Sequence, residues 1–345
     1  MTKNNKLALL VLTLASLSAC GGGSGGDTAP ATSVGVVVAP VVVSTIVATA
    51  PAPTYAAGSE ELAAFNKLNA ERTSCGFGAL AQNSALDKAA KAHADYLLVN
   101  YFLGHFETLG TPGFTGVSAA DRITAAGYST ANLFNATDEL TNLIGTNLKA
   151  GAASSSIRLL LNAPYHEAAL MSGFRDVGLS LRNAIDAGST FGPRVILQVN
   201  PAYKNLDGPQ LLAANEIKTY PCDNSVDIQP NLLSESPNPV PGRDLASSPL
   251  GSSVYVAVRD GNTITITGAT MTNLTTGIPV VLRTAVTAVN DPNKVNGVSY
   301  FKSSQAYIAA DAPLTANTKH QVTVTGTNNG TSFSRNFTFT TGLAS

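Results

Sequence analysis

The chain has 345 residues, room for two domains of ordinary size. Apolar residues make up 44%, enough for a sizeable core, whereas charged residues are only 12%, about half the usual share. The formal net charge of −1 excludes a basic nucleic-acid footprint and a polyacidic tail, and low charge with many small polar residues points to an exported protein.

The first residues set the compartment. Lys3 and Lys6 form a positive start, and Leu7 to Leu17 form an apolar run too short to span a bilayer. This predicts a signal peptide over residues 1–19. The run Leu17-Ser18-Ala19-Cys20 resembles the lipobox of bacterial lipoproteins, which implies cleavage before Cys20 and lipidation of its sulfur. Several acyl chains on one residue make a stable anchor, so the expected partner is a membrane. Gly21, not Asp, follows Cys20. The expectation is a lipid-anchored cell-envelope protein, in the outer membrane where a cell has two. Loss of Lys3 and Lys6 leaves 19 basic against 22 acidic residues, a net charge of −3.

Residues 20–58 are Gly/Ser-rich, then Ala/Val/Pro/Thr-rich, with Asp27 the sole charge. They read as a lipidated flexible tether. Residues 59–227 read as mixed α/β. Ser59 is a plausible N-cap before Glu60 and Glu61, and Leu62, Phe65 and Leu68 follow at helical spacing. A second helix is predicted over Ser84 to Tyr101, with Leu86, Ala89, Ala90, His93 and Leu97 on its apolar face. A short helix over Asp121 to Ala126 is closed by Gly127. Helices are also expected over Glu139 to Leu148 and from Ile157, and strands over Val177 to Leu181 and Arg194 to Val199.

Residues 228–250 read as a Pro-rich linker. In 251–345, β-branched and aromatic runs follow one another: Val254 to Val258, Thr263 to Ile266, Val280 to Val289, Tyr307 to Ala309, His320 to Thr325 and Ser334 to Phe339. Their spacing predicts a small all-β sandwich. The end, Asn317-Thr318-Lys319-His320 and then Phe337-Thr338-Phe339-Thr340-Thr341, is similar to the close of a bacterial Ig-like domain.

With Cys20 lipidated, Cys75 and Cys222 remain. An exported chain meets an oxidising environment, so the two are expected to pair; two buried thiols are the alternative.

Only four His occur. His93 lies on the apolar helix face and His320 opens a strand, and both read as packed side chains. His105 and His166 sit near element ends, where sites collect, with Glu139 between them in sequence. Two imidazoles and a carboxylate can bind Zn²⁺ or work as a general acid/base group. Spacings of 34 and 27 residues fit no local ligand motif. The Gly-x-Ser-x-Gly match at Gly22 to Gly26 lies in the tether, not at a strand-turn-helix nucleophile elbow.

Residues 65–182 resemble the CAP superfamily (cysteine-rich secretory proteins, antigen 5 and pathogenesis-related 1) in its bacterial branch. The residues that carry the resemblance are Leu68-Asn69-Ala70-Glu71-Arg72, Cys75-Gly76-Phe77-Gly78, Gly104-His105, Ala126-Gly127-Tyr128, Glu139, and Leu160-Leu161-Asn162-Ala163-Pro164-Tyr165-His166 with Val177-Gly178-Leu179 after it. The resemblance implies an α-β-α sandwich, followed here by the Ig-like domain. It also implies that His105, Glu139 and His166 converge in one cleft, which in some members holds a metal, with Zn the candidate here. Leu140 and Glu167 depart from the Asn and Arg frequent in the family, and residues 140–165 hold no second Glu, so Glu167 or Glu107 would have to supply it. The expected function is a surface-displayed binding module for a lipid, glycan or protein ligand. A metal-dependent hydrolase or peptidase using the three residues, and an adhesive surface protein with a vestigial cleft, are the alternatives. No single residue stands out as catalytic.

Overall fold

The computed structural model describes residues 44–129, 134–147 and 150–344. Cys20, the expected signal peptide and the first part of the expected tether lie outside the described residues, and the described residues fall within one contact unit, Val41–Ser345. The fold is mixed α/β with more strand than helix. Among the described residues no helix is long and apolar enough to cross a membrane.

In chain order the elements are α1 (Glu60–Ser74), β1 (Ala81–Gln82), α2 (Ser84–Val99), α3 (Ala119–Ala126), β2 (Phe134–Ala136), β3 (Glu139–Ile144), α4 (Ala152–Leu160), α5 (Pro164–Leu170), β4 (Asp176–Asn183) and β5 (Arg194–Lys204). Then come β6 (Lys218–Tyr220), β7 (Ser225–Ile228), β8 (Asn231–Leu232), β9 (Leu250–Gly251), β10 (Ser253–Ala257), β11 (Ile264–Asn273), β12 (Pro279–Val280), β13 (Val286–Thr287), β14 (Gln305–Ala309), β15 (Lys319–Asn328) and β16 (Thr331–Thr341).

The helix ends follow from their local chemistry. Ser59 Oγ accepts from Leu62 N at 3.2 Å and satisfies an otherwise orphan amide at the start of α1. Ser118 and Asp121 form a capping box on α3, and Gly127 closes it in the left-handed conformation at φ 93°.

In the first sheet β4 and β5 run antiparallel, β1 flanks β4, and β2 and β3 share the far edge of β5. Side chains alternate across β5. Val195, Leu197 and Val199 enter one core with residues of α1, α4 and α5, while Ile196 packs with Leu97 and Leu98 of α2. Gly178 of β4 brings α2 close, because a Cβ there would lie 2.0 Å from the Leu86 carbonyl carbon.

Two further sheets follow, β13-β14-β10-β6 and β12-β11-β15-β16-β7. Both draw a strand from the region read as the first domain: β6 pairs with β10 and β7 runs parallel to β16. One apolar core runs through both halves, joining Leu68 and Leu197 to Val256, Val324 and Phe339. The boundary at 227/228 is therefore crossed by strand pairing.

Three expectations change. The stretch from Glu139 is strand β3, not helix, because it pairs residue for residue with Arg194–Val199. Residues 44–58 of the tether pack on the body: Val47 N donates to Gln210 Oε1 and Tyr55 Oη reaches Asp87 Oδ1. The 228–250 stretch is not a free linker, since Ile228, Leu232, Leu245 and Leu250 are buried. In addition, Val280 to Val289 gives only the short strands β12 and β13. Cys75 and Cys222 form the expected disulfide, with a Cα–Cα distance of 5.3 Å.

Candidate functional site

His105 lies in the 100–118 loop between α2 and α3, and a buried polar network sets that loop. Glu107 accepts from Thr115 N at 2.6 Å and Gly116 N at 3.3 Å, and its Oε1 lies 2.9 Å from His93 Nδ1. His93 Nε2 lies 3.0 Å from Gly104 O, so both ring nitrogens of this fully buried side chain face acceptors. That completes the packed role expected of His93. His320 is likewise buried, with Nδ1 3.0 Å from Thr318 O and its ring against Phe339. Gly116 has to be glycine, since a Cβ would stand 2.8 Å from Arg122 N.

Arg122 Nη2 then donates to Asp138 Oδ2 at 2.8 Å and to His105 O at 3.1 Å, tying the loop to the start of β3. Asp138 Oδ1 lies 3.1 Å from His105 Nδ1. Burial alone would push Asp138 up, but the His105 hydrogen bond and the His105 and Arg122 charges hold it below its ordinary value. His105, which is 41% exposed, is raised by the hydrogen bond to Asp138, against the effect of burial.

Glu139 opens β3 and turns toward the third residue of α5, His166. Glu139 Oε2 lies 3.8 Å from His166 Nε2, and Glu139 Oε1 accepts from Thr137 Oγ1 at 2.9 Å. Burial pushes Glu139 from 4.5 up to about 7, while the charges of His166 and His105 and the Thr137 bond pull back. The other face of His166 meets a residue that sequence reasoning missed. Glu235, from the segment between β8 and β9, places Oε1 3.3 Å from His166 Nδ1 and accepts from Tyr165 N at 2.7 Å. Its side chain is fully buried, and Oε2 has no hydrogen-bond partner among the described residues. Burial raises Glu235. For His166 burial works downward, but the Glu235 hydrogen bond and the Glu139 and Glu235 charges prevail and raise it.

The two residues considered as a second family Glu lie elsewhere. Glu107 is spent on His93 and its own loop. Glu167 is fully buried, accepts from Ser253 Oγ at 2.6 Å, and is driven well above its ordinary value by burial.

His105 and His166 thus line one cleft of about 630 Å³, with Glu139 behind His166. The walls are largely apolar: Leu140, Leu143 and Ile144 from β3, Leu159 and Leu160 from α4, and Leu232 and Leu233 from the segment that carries Glu235. Such a volume with a few convergent polar groups suits a small ligand.

No protein-family model matches the chain, and no curated protein matches it either.

Both imidazoles have Nδ1 against a carboxylate, as a metal-bound His often has its other ring nitrogen. Among the described residues, however, no group of three or more His, Cys, Asp or Glu side chains is arranged to hold a metal ion. Geometry lends the zinc expectation no support. What the cleft does offer is a carboxyl group pushed up to about 7 with a raised imidazole 3.8 Å away, two groups of the kind used in acid/base chemistry.

Proposed function

We propose that this chain is a lipid-anchored envelope protein whose CAP-like part works as a binding module, taking a lipid, glycan or protein-derived ligand into the cleft of His105, Glu139 and His166. The observation that carries the reading is the cleft itself, of ligand size, walled by leucines, with both imidazoles on its lining. Helices against both faces of the first sheet support the α-β-α reading, and the two later sheets around one core support an Ig-like sandwich. The lipobox at Cys20 supports the anchor. The test is native mass spectrometry of the purified Cys20→Ser chain, incubated separately with an envelope lipid extract and with soluble cell-wall glycopeptides. One of the two is expected to give a mass adduct that the His105→Ala/Glu139→Gln/His166→Ala variant loses. No adduct from either, or one that the variant retains, overturns the proposal.

Hydrolysis is the second reading, favoured by the Glu139–His166 pair. It requires ester or amide turnover that Glu139→Gln abolishes, and absence of turnover across a panel of such substrates removes it.

A further inference from the structure

The loop that carries His105 also carries a patch for which the binding reading has no use. From Tyr101 to Ala120 the only acidic or basic residues are His105 and Glu107, and Glu107 is buried. On the same stretch Tyr101, Phe102, Leu103, Phe106, Leu109 and Val117 are all exposed, Phe106 at 65% and Leu109 at 78%. These side chains are not outside for want of order. Glu107 holds Thr115 and Gly116, Tyr96 Oη accepts from Thr108 N at 2.9 Å and Thr111 Oγ1 at 3.1 Å, and Asn100 Nδ2 donates to Pro112 O at 2.9 Å. The loop is thus held from within by Glu107, Tyr96 and Asn100 while its large apolar side chains face outward, an exposed apolar patch of the kind that marks a contact surface. Tyr101 stands at the edge of the patch, its ring 5.0 Å from Phe191 and under the Arg194 guanidinium at 4.8 Å, an amphipathic rim of the kind found at bilayer interfaces. Leu103 belongs to both patch and cleft.

We propose that the 101–117 loop is a bilayer-docking surface, which sets the mouth of the cleft against the acyl boundary of an uncharged phospholipid membrane. Tyr101 to Ala120 holds no Lys or Arg, and His105 is its one basic side chain, which points to a zwitterionic surface and away from an anionic one. Chain length permits the contact. Ser44 is tied to Leu211, beyond the Lys204 end of β5, whereas Phe102 O accepts from Arg194 at the other end of that strand. The 11 residues of β5 span about 36 Å, while the chain from Cys20 to Ser44 can extend to about 80 Å. The proposed anchor at Cys20 therefore leaves the loop free to meet the membrane that holds it. The docking goes beyond the ligand-binding reading and is tested without the anchor.

The experiment is cosedimentation of the purified Cys20→Ser chain with phosphatidylcholine vesicles at low and high salt, each variant first shown to melt at the parent temperature. The parent should partition onto the vesicles independently of salt. Phe106→Asp and Leu109→Asp should each reduce the partition coefficient at least about tenfold. Val289→Asp, at an exposed apolar residue on another loop, should leave it unchanged. No partition by the parent, partition unaffected by the two loop variants, or equal loss with Val289→Asp overturns the proposal. So does self-association that depends on Phe106 without vesicle binding.

Discussion

Replacing Glu139 with Gln should stabilise the protein above neutral pH. Glu139 is almost fully buried at the inner end of the cleft, and burial raises it from 4.5 to about 7. Below pH 4.5 the carboxyl is protonated in both folded and unfolded chains, and it adds no pH dependence. Between 4.5 and about 7 the unfolded chain has released the proton and the folded chain has kept it, so stability falls as pH rises. Once ionisation in the folded state is complete, the loss amounts to about 3 kcal/mol, at about 1.36 kcal/mol per tenfold change. The Glu139→Gln side chain carries no charge to desolvate, and its carbonyl oxygen can still accept from Thr137 Oγ1. Losing the Glu139 charge also removes part of what raises His166, so the gain falls short of that figure. The assay is urea unfolding at pH 4 and pH 8, followed by far-UV circular dichroism because the chain has no Trp. Wild type and variant should match at pH 4, and the variant should be more stable at pH 8. A variant less stable at pH 8, or a difference independent of pH, would refute the reasoning. A gain would also mean that wild type keeps a costly carboxylate where it faces the cleft, as functional residues often are kept.

Two further outcomes follow from buried partners. The Cys75→Ala/Cys222→Ala variant opens a loop of 147 residues and should lose up to about 5 kcal/mol by the chain-entropy relation, read in the same urea titration; a loss under about 1 kcal/mol would show that the loop stays ordered without the bond. Glu235→Leu strips Tyr165 N of its acceptor and should cost about 2 kcal/mol, while Glu235→Gln, which keeps an acceptor oxygen, should cost under about 1 kcal/mol; equal losses would dismiss the hydrogen bond as the cause.

The parts of this molecule that could be read from sequence are those whose causes are local. α1 and α3 announce themselves by Ser59 and by Gly127, because caps and the 3.6-residue period act within a turn or two. β3 does not, since the partner that makes it a strand begins about fifty residues later, and Glu-Leu-Thr-Asn-Leu-Ile carries no propensity strong enough to exclude helix. The disulfide was legible because the expectation of export, with Cys20 assigned to the lipid, left two cysteines with few options. His105, Glu139 and His166 stood out through resemblance and the scarcity of His, but Asp138 and Glu235, which hold the two imidazoles, did not. For Glu235 the demand was visible even though the supplier was not. α5 begins at Ala163-Pro164, with no side chain able to cap it, yet its early residues are buried, so the Tyr165 amide needs an acceptor from somewhere. Glu235, in a Pro- and Ser-rich stretch whose other charges are Arg243 and Asp244, is the group that supplies it. A buried helix start without its own cap is thus a reason to search distant sequence for an isolated acid. Here that search would have led to the far wall of the cleft, and to the conclusion that the Pro-rich segment, linker-like in composition, is part of the site.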